Sequence, residues 1–300
     1  METFEILRTR DSTRPRGPAL VIESSIGFFG AHPEGEIMIR DRIGRTAWLL
    51  AGFALAAAQS PAASTQPPKI PGFLTAAIAD SARPAGDVEH DANRKPGETL
   101  VFAGVEPGFK VAELLPGGGY YTRIISKAVG SSGHVYALVP APRPDAPAGT
   151  PDFAARVKAI AADPNYANVT VVVEPFAELK TPEPVDLVWT SQNYHDLHNF
   201  PGLDIAVFNQ MVFETLKPGG IYFVLDHSSL PGAGISVTST LHRIDPESVK
   251  REVLAAGFEF VGSSELLRRP SDPRTAKVFD PSIRGLTDQF ILKFRKPAKP

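Results

Sequence analysis

Three hundred residues, 43% of them hydrophobic and 21% charged, hold enough apolar material for a sizeable core and exclude an intrinsically disordered chain. A formal net charge of −2 gives no long-range attraction to nucleic acid, so a small-molecule or protein substrate is expected instead. Cysteine is absent, which excludes disulfides, thiolate metal sites and cysteine nucleophiles.

In chain order, the first feature is a basic stretch from Met38 to Arg45 ahead of an apolar run from Thr46 to Ala58. A basic lead, an apolar run too short to cross a bilayer, and small residues at Ala56, Ala57 and Ala58 form the pattern of a cleaved export signal. Ala62 and Ala63 offer a second cleavage site, and a buried helix or short membrane anchor is the alternative reading. Because a signal should open a chain, residues 1–37 are read as an over-extended gene start without order and 38–58 as the signal peptide. The product is then expected in the periplasm or outside the cell. Residues 59–72, rich in Pro, Ala and Ser, read as a linker, and 73–300 as the folded domain.

Within that domain a short apolar helix is expected over Phe73–Ala79 and a charged, solvated helix over Asp87–Leu100. A strand from Lys110 to Leu115 runs into Gly117, Gly118 and Gly119, after which Tyr121, Ile124, Ile125 and Ala128 recur at helical spacing. A strand that hands over to a helix through glycine lets the backbone approach a ligand closely. Glu113, near the strand end, is placed to accept hydrogen bonds from a ribose or an amine. Gly133–Val139, Asn168–Val173, Val185–Thr190 and Ile221–Asp226 read as further strands, the β-branched runs suiting burial on both faces. Helices are expected through Ala154–Ala162 and through Ile205, Phe208, Val212 and Leu216, the second stopped by Lys217-Pro218-Gly219-Gly220. Asp245, Pro246 and Gly257 bracket another as N-cap, first-turn proline and C-terminal glycine.

The alternation predicts an α/β fold with a mostly parallel seven-stranded sheet and helices on both faces. The last strands, Phe258–Ser263 and Asp288–Phe294, have no helix between them and are expected to pair as an antiparallel hairpin. Their 24-residue connection, 264–287, is long enough to suggest a lid or binding loop, although Arg268, Arg269, Asp272 and Arg274 read more simply as solvated surface.

The run ELLPGGGYYTRI at 113–124, SQNYHDLHN at 191–199, LKPGG at 216–220 and the tail VFDPSIRGLTDQFILKFRKP at 278–297 carry a family resemblance. The chain resembles class I S-adenosylmethionine-dependent methyltransferases and, more narrowly, a bacterial group of predicted exported methyltransferases. The resemblance implies the Rossmann-like methyltransferase fold, S-adenosyl-L-methionine as cofactor, and a small-molecule acceptor whose identity is unread. It implies cofactor contacts from Glu113, Pro116, Gly117, Gly119, Tyr120, Thr122, Glu174 and Asn193. Two departures stand out. Leu115 occupies the position where many members of the fold carry the first glycine of the turn, and Leu138-Val139-Pro140 replaces the acidic residue that usually ends the second strand.

Methyl transfer from a sulfonium depends mostly on placement, with a base where the acceptor must lose a proton. His195 and Asp196, in the polar segment after the fourth strand, are the candidate base and its orienting partner. Weighed equally is a loop whose Asn, Asp and His side chains merely cap the next helix. Asp226 and His227 form a weaker pair on the same rim. A metal held by His195, Asp196, His198 and Asp226 is conceivable by ligand type, but the spacing matches no metal motif and none is expected. The functional expectation is a methyltransferase; its rival is an exported, non-enzymatic binding protein with a degenerate cofactor site. A nicotinamide-dependent oxidoreductase is disfavoured by Thr122, which stands where the third fingerprint glycine belongs.

Overall fold

A computed structural model describes residues 69–298, except 144, 145, 147, 148 and 179. The expected gene-start and signal segments therefore lie outside the described residues, as does most of the linker.

Helix α1 (Gly72–Ile78) opens the described chain and buries Leu74 and Ala77. The helix expected over Asp87–Leu100 is instead three pieces, α2 (Ala85–Val88), α3 (Asp91–Arg94) and α4 (Pro96–Ala103). Pro96 disfavours right-handed helical backbone at the residue before it, and the break falls at Lys95, whose φ of 44° is left-handed and not the extended value a residue before proline usually takes. Pro96 then serves as the first residue of α4, where its missing amide hydrogen is harmless.

The βα alternation follows the sequence pattern: β1 (Lys110–Leu114), α5 (Tyr120–Val129), β2 (His134–Pro140), α6 (Ala155–Ala161), β3 (Val169–Glu174), β4 (Val185–Ser191), α7 (Tyr194–Leu197) and α8 (Ile205–Thr215). There follow β5 (Leu216–His227), α9 (Thr238–Leu241), α10 (Pro246–Ala255), β6 (Glu259–Ser264) and β7 (Gln289–Arg295). One boundary differs from expectation. Helix α8 stops at Thr215, just ahead of Lys217-Pro218-Gly219-Gly220 as expected, but Leu216 and that run already belong to β5 and bulge from it, so the β4 register jumps from Val185↔Leu216 to Leu187↔Ile221. Gly219, at φ 82°, donates its N–H to the Lys296 carbonyl on the far side of the bulge.

The seven strands run in the order β3-β2-β1-β4-β5-β7-β6. Pairs from β3 to β5 are parallel, and β7 is antiparallel to both its neighbours, giving the expected closing hairpin. This is the Rossmann-like α/β architecture expected from the sequence, a mostly parallel seven-stranded sheet closed by an antiparallel hairpin. Period-two alternation assigns each strand residue to a face. Val111 joins α1, α4, α5 and α6 residues in one core cluster, whereas Ala112 and Leu114 join α7, α8 and α10 in the other. Trp189 anchors the first, stacked on Phe223 with ring centroids 4.0 Å apart and touched by Tyr121. Among the described residues no helix is long and apolar enough to cross a membrane.

Candidate functional site

The strand order reverses between β1 and β4, and in open α/β sheets ligands bind at the C-terminal strand ends of such a switch point. A cleft of about 1330 Å³ lies there, lined by the turn after β1, the ends of β2 and β4, and the α2–α3 segment. That exceeds the roughly 300–1,000 Å³ of a typical small-molecule pocket.

The turn is built around Leu115, whose backbone takes a left-handed φ of 50°. A side chain there costs about 1–2 kcal/mol relative to the right-handed region. The strain is held by Asn193, whose Nδ2 donates to the carbonyls of Leu114 and Leu115 at 3.1 Å each while its Oδ1 accepts from the Thr190 hydroxyl. Leu115 therefore adopts the conformation that glycine would have made easy, and the turn stays open. Gly117, at φ 58°, faces the cleft, and a Cβ there would meet nothing within 4 Å. Gly119 is different. Its φ is 78°, it does not line the cleft, and a Cβ would sit 2.1 Å from Ile160 Cδ1, so it permits α5 and α6 to pack.

Glu113 lies on the α5 side of the sheet at the cleft floor, 3% exposed. Burial pushes its carboxyl up to about 8; the Thr122 hydroxyl, donating at 2.5 Å, and the charge of Arg123 pull the other way but do not win. Thr122 thus supports Glu113 from behind and does not reach the cleft. Tyr120 does reach it, its hydroxyl donating to Asp91 Oδ1 at 2.6 Å. Asp91 is gripped by the Arg83 guanidinium, and Arg94 lies over the Tyr120 ring at 4.3 Å.

Asp87, His90 and Arg94 also line the cleft, a contribution the sequence reading missed because it treated this segment as a solvated helix. Their i, i+3, i+7 spacing, one face of a helix, was the available signal. Glu174 is exposed and does not line the cleft; its neighbours Pro175 and Phe176 do. Among the described residues no carboxylate stands at the end of β2, but Asp152, from the following connection, joins the cleft wall.

At the opposite rim α7 presents Asp196 to the cleft and buries His195 behind it. His195 Nδ1 is 2.8 Å from Asp226 Oδ1, and the same carboxylate accepts the backbone N–H groups of His195 and His227 at 2.7 Å each. Burial works to lower the His195 pKa, but Asp226 and Asp196 outweigh it and raise it to about 10. Burial likewise works to raise Asp196, and His195 and His242 hold it below the usual range. His195 is thus packed against two carboxylates, and Asp196 is the member of the cluster that faces the ligand space. His227, by contrast, is pushed down to about 4 by burial and pairs with the Thr287 hydroxyl. His198 is drawn away to Glu252 at 3.2 Å.

No protein-family model matches the chain, and no curated protein matches it. Among solved structures it is similar to an S-adenosylmethionine-dependent methyltransferase from Aquifex aeolicus, with 18% identity, 66% of this chain and 87% of that chain covered, and a TM-score of 0.46. A methyltransferase of the same cofactor class from Mesorhizobium loti shows 15% identity, coverage of 69% and 99%, and a TM-score of 0.46. An arsenic(III) S-adenosylmethionine methyltransferase from Chlamydomonas reinhardtii shows 19% identity, coverage of 76% and 74%, and a TM-score of 0.47.

Proposed function

We propose that this chain is an S-adenosylmethionine-dependent methyltransferase acting on a small-molecule acceptor. The observation that carries the reading is an open cleft at the β1/β4 switch point whose floor is the buried carboxyl of Glu113 and whose edge is the cleft-facing Gly117. A carboxyl kept protonated by burial is poised to ionise when a ligand ammonium group arrives. The residues suit the cofactor: Glu113 for its ammonium, Arg94 for its carboxylate, Gly117 for close backbone approach, Asp152 for the ribose hydroxyls, and Val139, Pro140 and Phe176 for the adenine face. When bound, S-adenosylmethionine would supply a methyl group already activated on a cationic sulfur. Asp196, at the rim, would orient the acceptor.

A structure determined after soaking with S-adenosylhomocysteine tests this reading. Density against Glu113 and Gly117 is expected; an empty cleft at saturating ligand would sink it. Val139-Pro140, in place of an acidic ribose anchor, favours a second reading in which the chain binds a partner or ligand without catalysis. A folded chain that gives no heat with S-adenosylmethionine or S-adenosylhomocysteine at millimolar concentration would support it. We further propose that the protein belongs to an exported bacterial group and is processed after the apolar run ending near Ala58. N-terminal sequencing of the native protein checks this, and recovery of Met1 or its neighbours would refute it.

A further inference from the structure

His195 and Asp196 on α7 meet His242, the residue that caps α9, although 47 and 46 positions of chain separate them. His195 Nε2 lies 3.3 Å from Asp196 Oδ1 and 3.3 Å from His242 Nδ1, and those last two atoms are 3.4 Å apart. We propose that this triangle is a binding site for one divalent zinc ion. Ligand bonds of about 2.0–2.1 Å around a tetrahedral ion place neighbouring donors roughly 3.3–3.4 Å apart, which is the spacing seen. The same distances are long for hydrogen bonds, whose N–H···O mode is about 2.9 Å.

Three further features fit. Two imidazoles and one carboxylate are a donor set that zinc accepts, leaving one position of the tetrahedron for water or an acceptor atom. His195 is oriented from behind by Asp226, a fully buried carboxylate that engages Nδ1 and so leaves Nε2 as the outward donor; metal-ligating histidines are commonly fixed in this way. His242 holds its ring in place from a left-handed backbone, φ 54°, against the Phe279 ring at 4.9 Å. Such a conformation in a residue other than glycine persists only where its surroundings impose it, and such residues cluster at functional sites. The His242 and Asp196 side chains are 23% and 38% exposed, so the triangle opens outward, and Asp196 also belongs to the cleft wall. The triangle thus adjoins the cleft through Asp196.

Metal binding can be measured without cofactor or acceptor, so its outcome is independent of the methyl-transfer reading. Tag-free protein, stripped with a chelator, would be titrated with Zn²⁺ by calorimetry and with Co²⁺ by visible absorption. One equivalent of each is expected to bind, the cobalt form showing the intense bands of a tetrahedral ion. His242→Ala and Asp196→Asn should each abolish those bands while circular dichroism stays unchanged, and Asp226→Asn should weaken Zn²⁺ about 10–100-fold. If His242→Ala fails to fold, Asp196→Asn and the wild-type cobalt spectrum still decide. Absence of saturable binding by the folded wild-type chain, an octahedral cobalt spectrum, or full binding by a folded ligand variant would each overturn the proposal.

Discussion

Glu113 carries a pH signature that an exposed carboxyl would lack. Its folded-state pKa of about 8 lies above the ordinary 4.5, so between those values the folded chain holds a proton that the unfolded chain has released. This group's contribution to stability is therefore fully present below about pH 4.5 and lost as pH rises through about 8. Glu113→Gln removes the loss, and in ligand-free protein its melting temperature should gain on wild type as pH is raised through that window. Binding of a ligand ammonium group favours the carboxylate, so wild type should release up to about one proton on binding near neutral pH. Calorimetry in buffers of different ionisation enthalpy would show that release, and Glu113→Gln should not. Asn193 makes a separate demand. Asn193→Ala leaves the Leu114 and Leu115 carbonyls without their side-chain donor, an expected cost of about 1–3 kcal/mol in urea unfolding. Glycine type alone did not reveal which glycine meets the ligand. Gly117→Val should add backbone strain of about 1–2 kcal/mol and abolish cofactor binding, whereas Gly119→Val drives a side chain into Ile160 and should disrupt the α5–α6 packing first. The strand-to-glycine pattern located the turn, and Glu113, Pro116, Gly117, Tyr120, Asn193 and Asp196 do line the cleft. Thr122 and His195 lie behind that wall, a distinction that depends on which way a helix face is turned and that a strand-end motif does not encode.

The 264–287 connection shows what a single sequence hides at the scale of elements. Its charges read as solvated surface, yet the Asp272 carboxylate is buried against the fully buried Arg243 guanidinium at 2.8 Å. Arg268 and Arg274 both pair with Asp288, and the Arg269 N–H donates to the same carboxylate. The main partners, Arg243 and Asp288, lie outside the connection, so its own composition did not announce the pairing. Removing one member of a buried pair strands the other, and Asp272→Ala should cost about 3–5 kcal/mol by denaturant unfolding. Because Phe279 in this connection also packs on His242, the same variant should loosen the His195–Asp196–His242 triangle. His242 itself was invisible in the sequence, since no metal motif spaces ligands as Asp196 and His242 are spaced and only the fold joins them. The split of the Asp87–Leu100 segment was legible in principle, since Pro96 stood inside a pattern otherwise read as continuous helix.

At the scale of the whole folded unit, the strand order follows from what the sequence alternation allows. Parallel strands joined by helices need crossovers, buried β-branched runs suit the sheet interior, and a final pair without a helix between them closes antiparallel. The cleft follows from that topology, because reversal of strand order between β1 and β4 leaves their C-terminal ends open to a ligand. Its capacity, about 1330 Å³, depends on side chains from α2, α3 and the β2–α6 connection, which no strand pattern predicts. The central claim is that the glycine turn beside Glu113 receives an adenosyl cofactor. Calorimetric titration of the folded protein with S-adenosylhomocysteine tests it most directly. One saturable site with a dissociation constant below about 1 mM, the upper end of usual substrate affinities, and lost in Gly117→Val is the expected result. No heat of binding at that concentration, or binding unchanged in Gly117→Val, would contradict it.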